Sequence, residues 1–177
     1  MGGVRGRGSR GSMTETHPTL HGDRTTLRPV TEDDLDLLTG WFSDPEMYAW
    51  WDRRPLSREE VEEKYVGRRR PEVESFIVET DGRPIGYLQY WLDEKPAGGG
   101  LDMILLPDSR EKGLGPDAAR AIVRYLLDEL RWERITVDPL VDNTRAIRAW
   151  EKTGFVVERE IDTEEGPGLL MVYSREE

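Results

Sequence analysis

Cysteine is absent from the 177 residues, which excludes disulfides, thiolate metal sites and a cysteine nucleophile. That absence suits a reducing cytoplasm. Histidine occurs only as His17 and His21, both near the N-terminus. Neither a histidine-built metal centre nor Ser/His/Asp catalysis is therefore expected. No window approaches the roughly eighteen apolar residues that a membrane span requires. Basic residues are outnumbered, 25 Lys and Arg against 36 Asp and Glu, for a formal charge of −11. Such a surface repels nucleic-acid backbones and anionic membranes and draws cations inward. The plain alternative is that acidity only keeps the chain soluble. The opening "MGGVRGRGSRGS" has almost nothing to bury and lacks the apolar core of a signal peptide. Residues 1–22 are expected to be a disordered tail or cloning remnant, with Met13 as a second start, and 23–177 a single domain.

Periodicity orders the rest. "TTLRPV" (25–30) reads as a strand, and "TEDDLDLLTGWF" as a helix capped by Thr31, with Leu35, Leu38 and Phe42 on one face. An aromatic loop (43–56) precedes a helix opening at Ser57, where Glu60 completes a capping box. Two β-rich runs over 74–94 flank Asp81-Gly82, a hairpin signal, and 101–106 forms a third strand after Gly98–Gly100. A helix begins near Pro116, then a strand over 134–140, a helix over 142–155 stopped at Gly154, and a closing hairpin. The order β-α-α-β-β-β-α-β-α-β-β predicts an α/β (α+β) domain: a mixed central sheet, antiparallel in its N-terminal part, flanked by about four helices.

One segment stands out chemically. Arg110-Glu-Lys-Gly-Leu-Gly115 joins a strand to a helix N-terminus. Free N–H groups, two glycines and the cations Arg110 and Lys112 suit a phosphate or diphosphate. The motif is neither a Walker loop nor a dinucleotide fingerprint, and an ordinary tight turn would look similar. Asp102 lies on the strand feeding this turn, in an apolar context. Alternation puts it on one face with Ile104, and Met103 and Leu105 on the other. It reads either as a base or as a solvent-facing acid at a strand end.

The Arg-x-x-Gly-x-Gly turn, with "DNTRAIRAWEKTGF" some thirty residues later, resembles the acetyl-CoA site of the GCN5-related N-acetyltransferases. Segments from "LRPVTEDDLDLL" through "WW", "GRPIGYLQ", "LDMILL" and "GPGLLMV" are similar, in order, to the aminoglycoside 6′-N-acetyltransferase branch. This resemblance implies acetyl-CoA as co-substrate, no metal, a small cationic amine as partner, and a monomer or homodimer. It implies Asp102 as general base. Coenzyme contacts would come from Ile104, Leu105 and Leu106, from Arg110, Lys112, Gly113, Leu114, Gly115 and Pro116, and from Asn143 and Trp150. An oxyanion donor would be a backbone N–H near Leu105 or Leu106.

Trp150 occupies the position where many relatives carry an acid tyrosine, and an indole does not release its proton. The amine would meet Trp50, Trp51, Tyr87, Gln89, Asp138 and Glu165. The implied function is antibiotic 6′-amine acetylation. The alternatives are acetylation of a protein N-terminus or a siderophore lysine precursor, and a non-catalytic acyl-CoA sensor.

Overall fold

The computed structural model describes residues 18–93 and 97–174. Eight strands form one sheet in the order β1-β2-β3-β4-β5-β6-β8-β7, antiparallel throughout except where β5 meets β6. The strands are β1 (Leu20–His21), β2 (Thr26–Pro29), β3 (Val73–Thr80), β4 (Arg83–Leu92), β5 (Gly98–Leu105), β6 (Arg134–Val137), β7 (Val156–Thr163) and β8 (Gly166–Ser174). The helices are α1 (Leu35–Phe42), α2 (Pro45–Tyr48), α3 (Arg58–Tyr65), α4 (Leu114–Asp128) and α5 (Thr144–Thr153).

Two elements exceed the sequence expectation. β1 lies inside the stretch 1–22 assigned to a tail; residues 1–17, with His17 and Met13, fall outside the described residues. Asp117 explains why the chain is structured that far back. Its buried carboxylate accepts the N–H groups of Asp23, Arg24 and Thr25 and the Thr25 hydroxyl, all within 3.1 Å. α2 is the second addition: Pro45 suits a first turn and the Asp44 carboxylate caps the Glu46 N–H.

Two apolar layers hold the sheet. Leu27, Phe76, Leu88 and Leu101 pack with Leu114, Ile122 and Leu126 of α4 on one face. Leu38, Phe42, Val61, Tyr65, Tyr87 and Ile104 join α1, α2 and α3 to the other. The Asp81-Gly82 turn has positive φ at both residues, as a two-residue hairpin needs. Gly98–Gly100, expected to precede the third strand, begin β5 instead. The Trp91 indole crosses Gly100 so closely that a Cβ there would lie 2.1 Å from the ring.

β5 and β6 pair only from Gly98 to Gly100 against Arg134 to Thr136, and then separate. The Leu106 N–H donates to the Ile85 carbonyl at 2.8 Å. Antiparallel alternation then points the backbone groups of Ile104 and Asp102 towards β4 as well. Those of Leu101, Met103 and Leu105 turn towards the gap left by β6.

Candidate active site

That gap joins two cavities. One, of about 280 Å³, is walled by Trp50, Trp51, Asp52, Tyr65, Gln89, Asp102, Asp138 and Glu165, among others. The other, of about 310 Å³, runs past Leu105, Arg110, Gly113, Gly115 and Pro116 to α5. Trp50, Met103, Asn143, Ala146 and Trp150 line both. Their electrostatics are opposite. Among the described residues the first carries four carboxylates and no cation. The second carries Arg110, Arg145, Arg148 and Lys152 against Glu111 alone. The carboxylates suit a polycationic amine, and the cations suit a polyanionic carrier.

Asp102 stands at the junction. Its register partner on β4 is Gln89, whose side-chain amide donates to the Asp102 carboxylate at 3.0 Å. Gln89 cannot turn over. Its Oε1 accepts from the Arg69 guanidinium at 3.0 Å and from the Tyr87 hydroxyl at 2.9 Å, so its nitrogen must face Asp102. Tyr87 is itself held by Ser75, 2.6 Å away. Desolvation by the cavity walls dominates the carboxyl's acidity and pushes Asp102 up to about 6, with Gln89 and Trp91 bonds opposing and nearby Asp138 reinforcing the rise. A carboxylate with a pKa close to neutrality, in reach of a cationic substrate, has the profile of a general base. Burial and Glu165 also raise Asp138.

Replacing Gln89 by leucine removes one bond that favours the charged form of Asp102. The acid limb of kcat/KM for the acceptor should move to higher pH, with the high-pH plateau within roughly tenfold of wild type. A pH–rate profile of Gln89→Leu checks this.

The second cavity fits an acyl-coenzyme A. Gly113 takes φ +79° and opens α4, whose first helical bond runs from the Asp117 N–H to the Gly113 carbonyl. The N–H groups of Leu114 and Gly115 therefore have no helical partners, and Pro116 has none to offer. Arg145, Arg148 and Lys152 stand three and four residues apart along one side of α5. The backbone groups of Met103 and the N–H of Leu105 face the gap, placed for an extended amide-bearing arm, while the Leu105 carbonyl accepts from Arg110 Nε at 2.9 Å. Asn143 Oδ1 caps α5 through the Ala146 N–H at 3.3 Å, which leaves the amide nitrogen for the cavities it lines.

Several expected contacts change. Tyr87 is fully buried and reaches neither cavity; it acts on Gln89. The Leu106 N–H is consumed by Ile85, which leaves the N–H groups of Met103 and Leu105 facing the gap. Leu114 is a core residue, and Lys112 is exposed outside the cavity, its carbonyl bound by Arg24 at 2.7 Å. α4 also begins at Leu114, two residues before Pro116.

The tryptophan pair divides its work. Trp51 is pinned by Tyr65, which accepts its indole N–H at 2.7 Å, and by an edge contact with Tyr87. Trp50 is 37% exposed at the mouth. Trp150 is buried against Phe155. Sequence reasoning missed Asp52, Tyr65 and the α5 cations. The spacing of the α5 cations was a readable signal, whereas nothing local marks Tyr65.

Among the described residues no group of histidines and carboxylates could hold a metal, and no helix is long and apolar enough to cross a membrane. Residues 30–163 match the family model described as an acetyltransferase (GNAT) domain. Aminoglycoside N(6′)-acetyltransferase type 1 of Klebsiella pneumoniae is 34% identical over 175 residues, covering 89% of this chain and 87% of its own. Aminoglycoside acetyltransferase AAC(6′)-Ib, solved with coenzyme A and kanamycin, superposes with a TM-score of 0.78 at 32% identity, over 85% of this chain and 95% of that one. Spermidine N-acetyltransferase from Vibrio cholerae shares the fold at 21% identity and a TM-score of 0.76, over 85% and 95% of the two chains. With the family match covering residues 30–163 and the identity to a relative extending along most of the chain, the chain belongs to the GNAT acetyltransferases.

Proposed function

We propose that this protein is a cytoplasmic enzyme that moves the acetyl group of acetyl-CoA onto the 6′-amine of aminoglycosides. The observation that carries the reading is the junction itself, a carboxylate cavity opening onto a cationic groove with Asp102 between them. The similarity to aminoglycoside N(6′)-acetyltransferases supports the choice of acceptor.

Acetyl-CoA supplies an activated thioester. Asp138, Glu165 and Asp52 attract and orient the several ammonium groups of an aminoglycoside, and Trp50 offers a flat apolar face to a sugar ring. Asp102 takes one proton from the ammonium to be acylated, so that the nitrogen gains a free lone pair for attack on the acetyl carbon. As the new N–C bond forms, negative charge gathers on the acetyl oxygen. The N–H groups of Met103 and Leu105 face the gap where that charge develops. The C–S bond then breaks while the nitrogen, which still carries two hydrogens after attack, passes one of them through water to the departing thiolate. This leaves a neutral amide and the coenzyme thiol, and Asp102 returns the first proton to solvent. No tyrosine lines the coenzyme cavity among the described residues, and the Trp150 indole cannot serve as an acid.

Thiol release with kanamycin, tobramycin, gentamicin and a linear polyamine tests the reading. Turnover is expected with the aminoglycosides, with mono-acetylated product in proportion to thiol. Acetylation confined to a peptide N-terminus or a hydroxamate precursor would exclude it. Coenzyme binding without turnover of any amine would instead identify a sensor.

A further inference from the structure

The sequence position of Arg110 suggests a free phosphate ligand, yet its guanidinium is committed to protein on two sides. Nε donates to the Leu105 carbonyl at 2.9 Å, and a terminal nitrogen donates to the Glu46 carbonyl at 3.1 Å, with Met47 Sδ at 3.8 Å. Leu105 is part of the coenzyme wall; Glu46 and Met47 belong to α2. The Glu46 carbonyl lies in the last turn of that short helix, where carbonyls run out of helical donors. Trp50, one turn on, sends its N–H to the Met47 carbonyl instead, at 3.4 Å. Arg110 fills the place of the missing donor, and a cation suits a helix C-terminus. α2 leads directly into Trp50 and Trp51, and Trp50 faces both cavities.

Burial weighs most against the charge on Arg110, like-charged Arg145 on the same groove adds to that, and the carboxylates of Glu46 and Asp44 oppose both. A diphosphate set beside both cations would remove that repulsion and hold the guanidinium in its present fork.

We propose that Arg110 is a positioning residue that couples the cavities: coenzyme in the groove fixes its guanidinium, which locks α2 and the Trp50–Trp51 loop and so completes the amine site. The part concerning the amine rests on the function proposed above; the locking of α2 does not. Coupling of this kind is reciprocal, so the amine must tighten coenzyme binding by the same factor.

Hydrogen exchange on the full chain, with and without coenzyme A, tests it without requiring any acceptor. Wild type should show exchange over residues 46–51 slowed by the order of tenfold when coenzyme A binds. Arg110→Gln should lose that protection while residues 113–118 remain protected, which shows that the carrier is still held. Arg110→Lys keeps the charge without the fork and should behave likewise; it decides the matter if Arg110→Gln does not fold. Kanamycin binding should tighten with coenzyme A in wild type and lose that gain in either variant. Equal protection of 46–51 in wild type and variants, or none in wild type, would overturn the proposal. An acceptor that binds neither with nor without coenzyme A, while 46–51 still responds to coenzyme A through Arg110, would count against the proposed function alone.

Discussion

Asp102→Asn should lower kcat with kanamycin by about 10²- to 10⁴-fold, the usual contribution of a positioned base, while leaving acetyl-CoA affinity nearly unchanged. The substitution keeps the shape of the side chain and an oxygen for Gln89 to bond. What disappears is the site that takes the proton. The same variant should be more stable than wild type at pH 7 to 8. The folded-state pKa of Asp102, about 6, lies above the ordinary aspartate value of 3.8, so the folded protein binds the proton more tightly than the unfolded chain. Stability is therefore lost as pH rises from the unfolded towards the folded value, and the cost is complete above the latter. Removing the charge recovers it. After allowance for water in the cavity the gain is about 1–2 kcal/mol, or roughly 3–6 °C in Tm. The difference should vanish below about pH 4, which thermal melts of both proteins across pH would reveal. A slower and more stable variant is the signature of a strained catalytic group; a slower and less stable one would mark Asp102 as structural.

Neutralising the α5 stripe should have the second largest effect. In Arg145→Gln/Arg148→Gln/Lys152→Gln, glutamine preserves helix propensity while three charges beside the coenzyme cavity are lost. At roughly 0.5–1 kcal/mol for each exposed contact, KM for acetyl-CoA should rise by about 10- to 100-fold. kcat should change little, because these side chains line the groove along α5 and not the wall that carries Asp102. Raising the salt concentration should raise KM steeply in wild type and only weakly in the variant, since the screened charges are gone. Initial rates at two ionic strengths separate this from a packing defect, which salt would not mimic.

How far these residues could be read from the sequence depends on the kind of information each needs. Asp102 was legible because a lone acid in an apolar strand is conspicuous, and alternation correctly gave its face. Alternation gives no depth, however. Tyr87 shares the face of Gln89 and Asp102 but lies beneath Phe42, Trp51 and Tyr65, so it supports the site from below. Parity was the missing information at Leu105 and Leu106. Which of two neighbours turns its N–H to the gap depends on the β4–β5 register, fixed by contacts far along the chain. Arg110 shows a similar limit, since its identity suggests an anion while its direction is set by a helix sixty residues earlier. The fold class was readable from periodicity, because α4 and the β3–β4 hairpin obey their local patterns. β1 was not, being two residues long and reached only through the turn after it, which Asp117 of a distant helix fixes at Asp23 to Thr25.

The account depends most on Asp102 accepting the proton of the amine inside the carboxylate cavity. The direct test is kcat/KM for kanamycin against pH, at saturating acetyl-CoA, in wild type and Asp102→Asn. The wild-type profile should carry an acid limb with an apparent pKa of about 6, absent from the variant. The same limb in both proteins would place the base elsewhere and contradict the account.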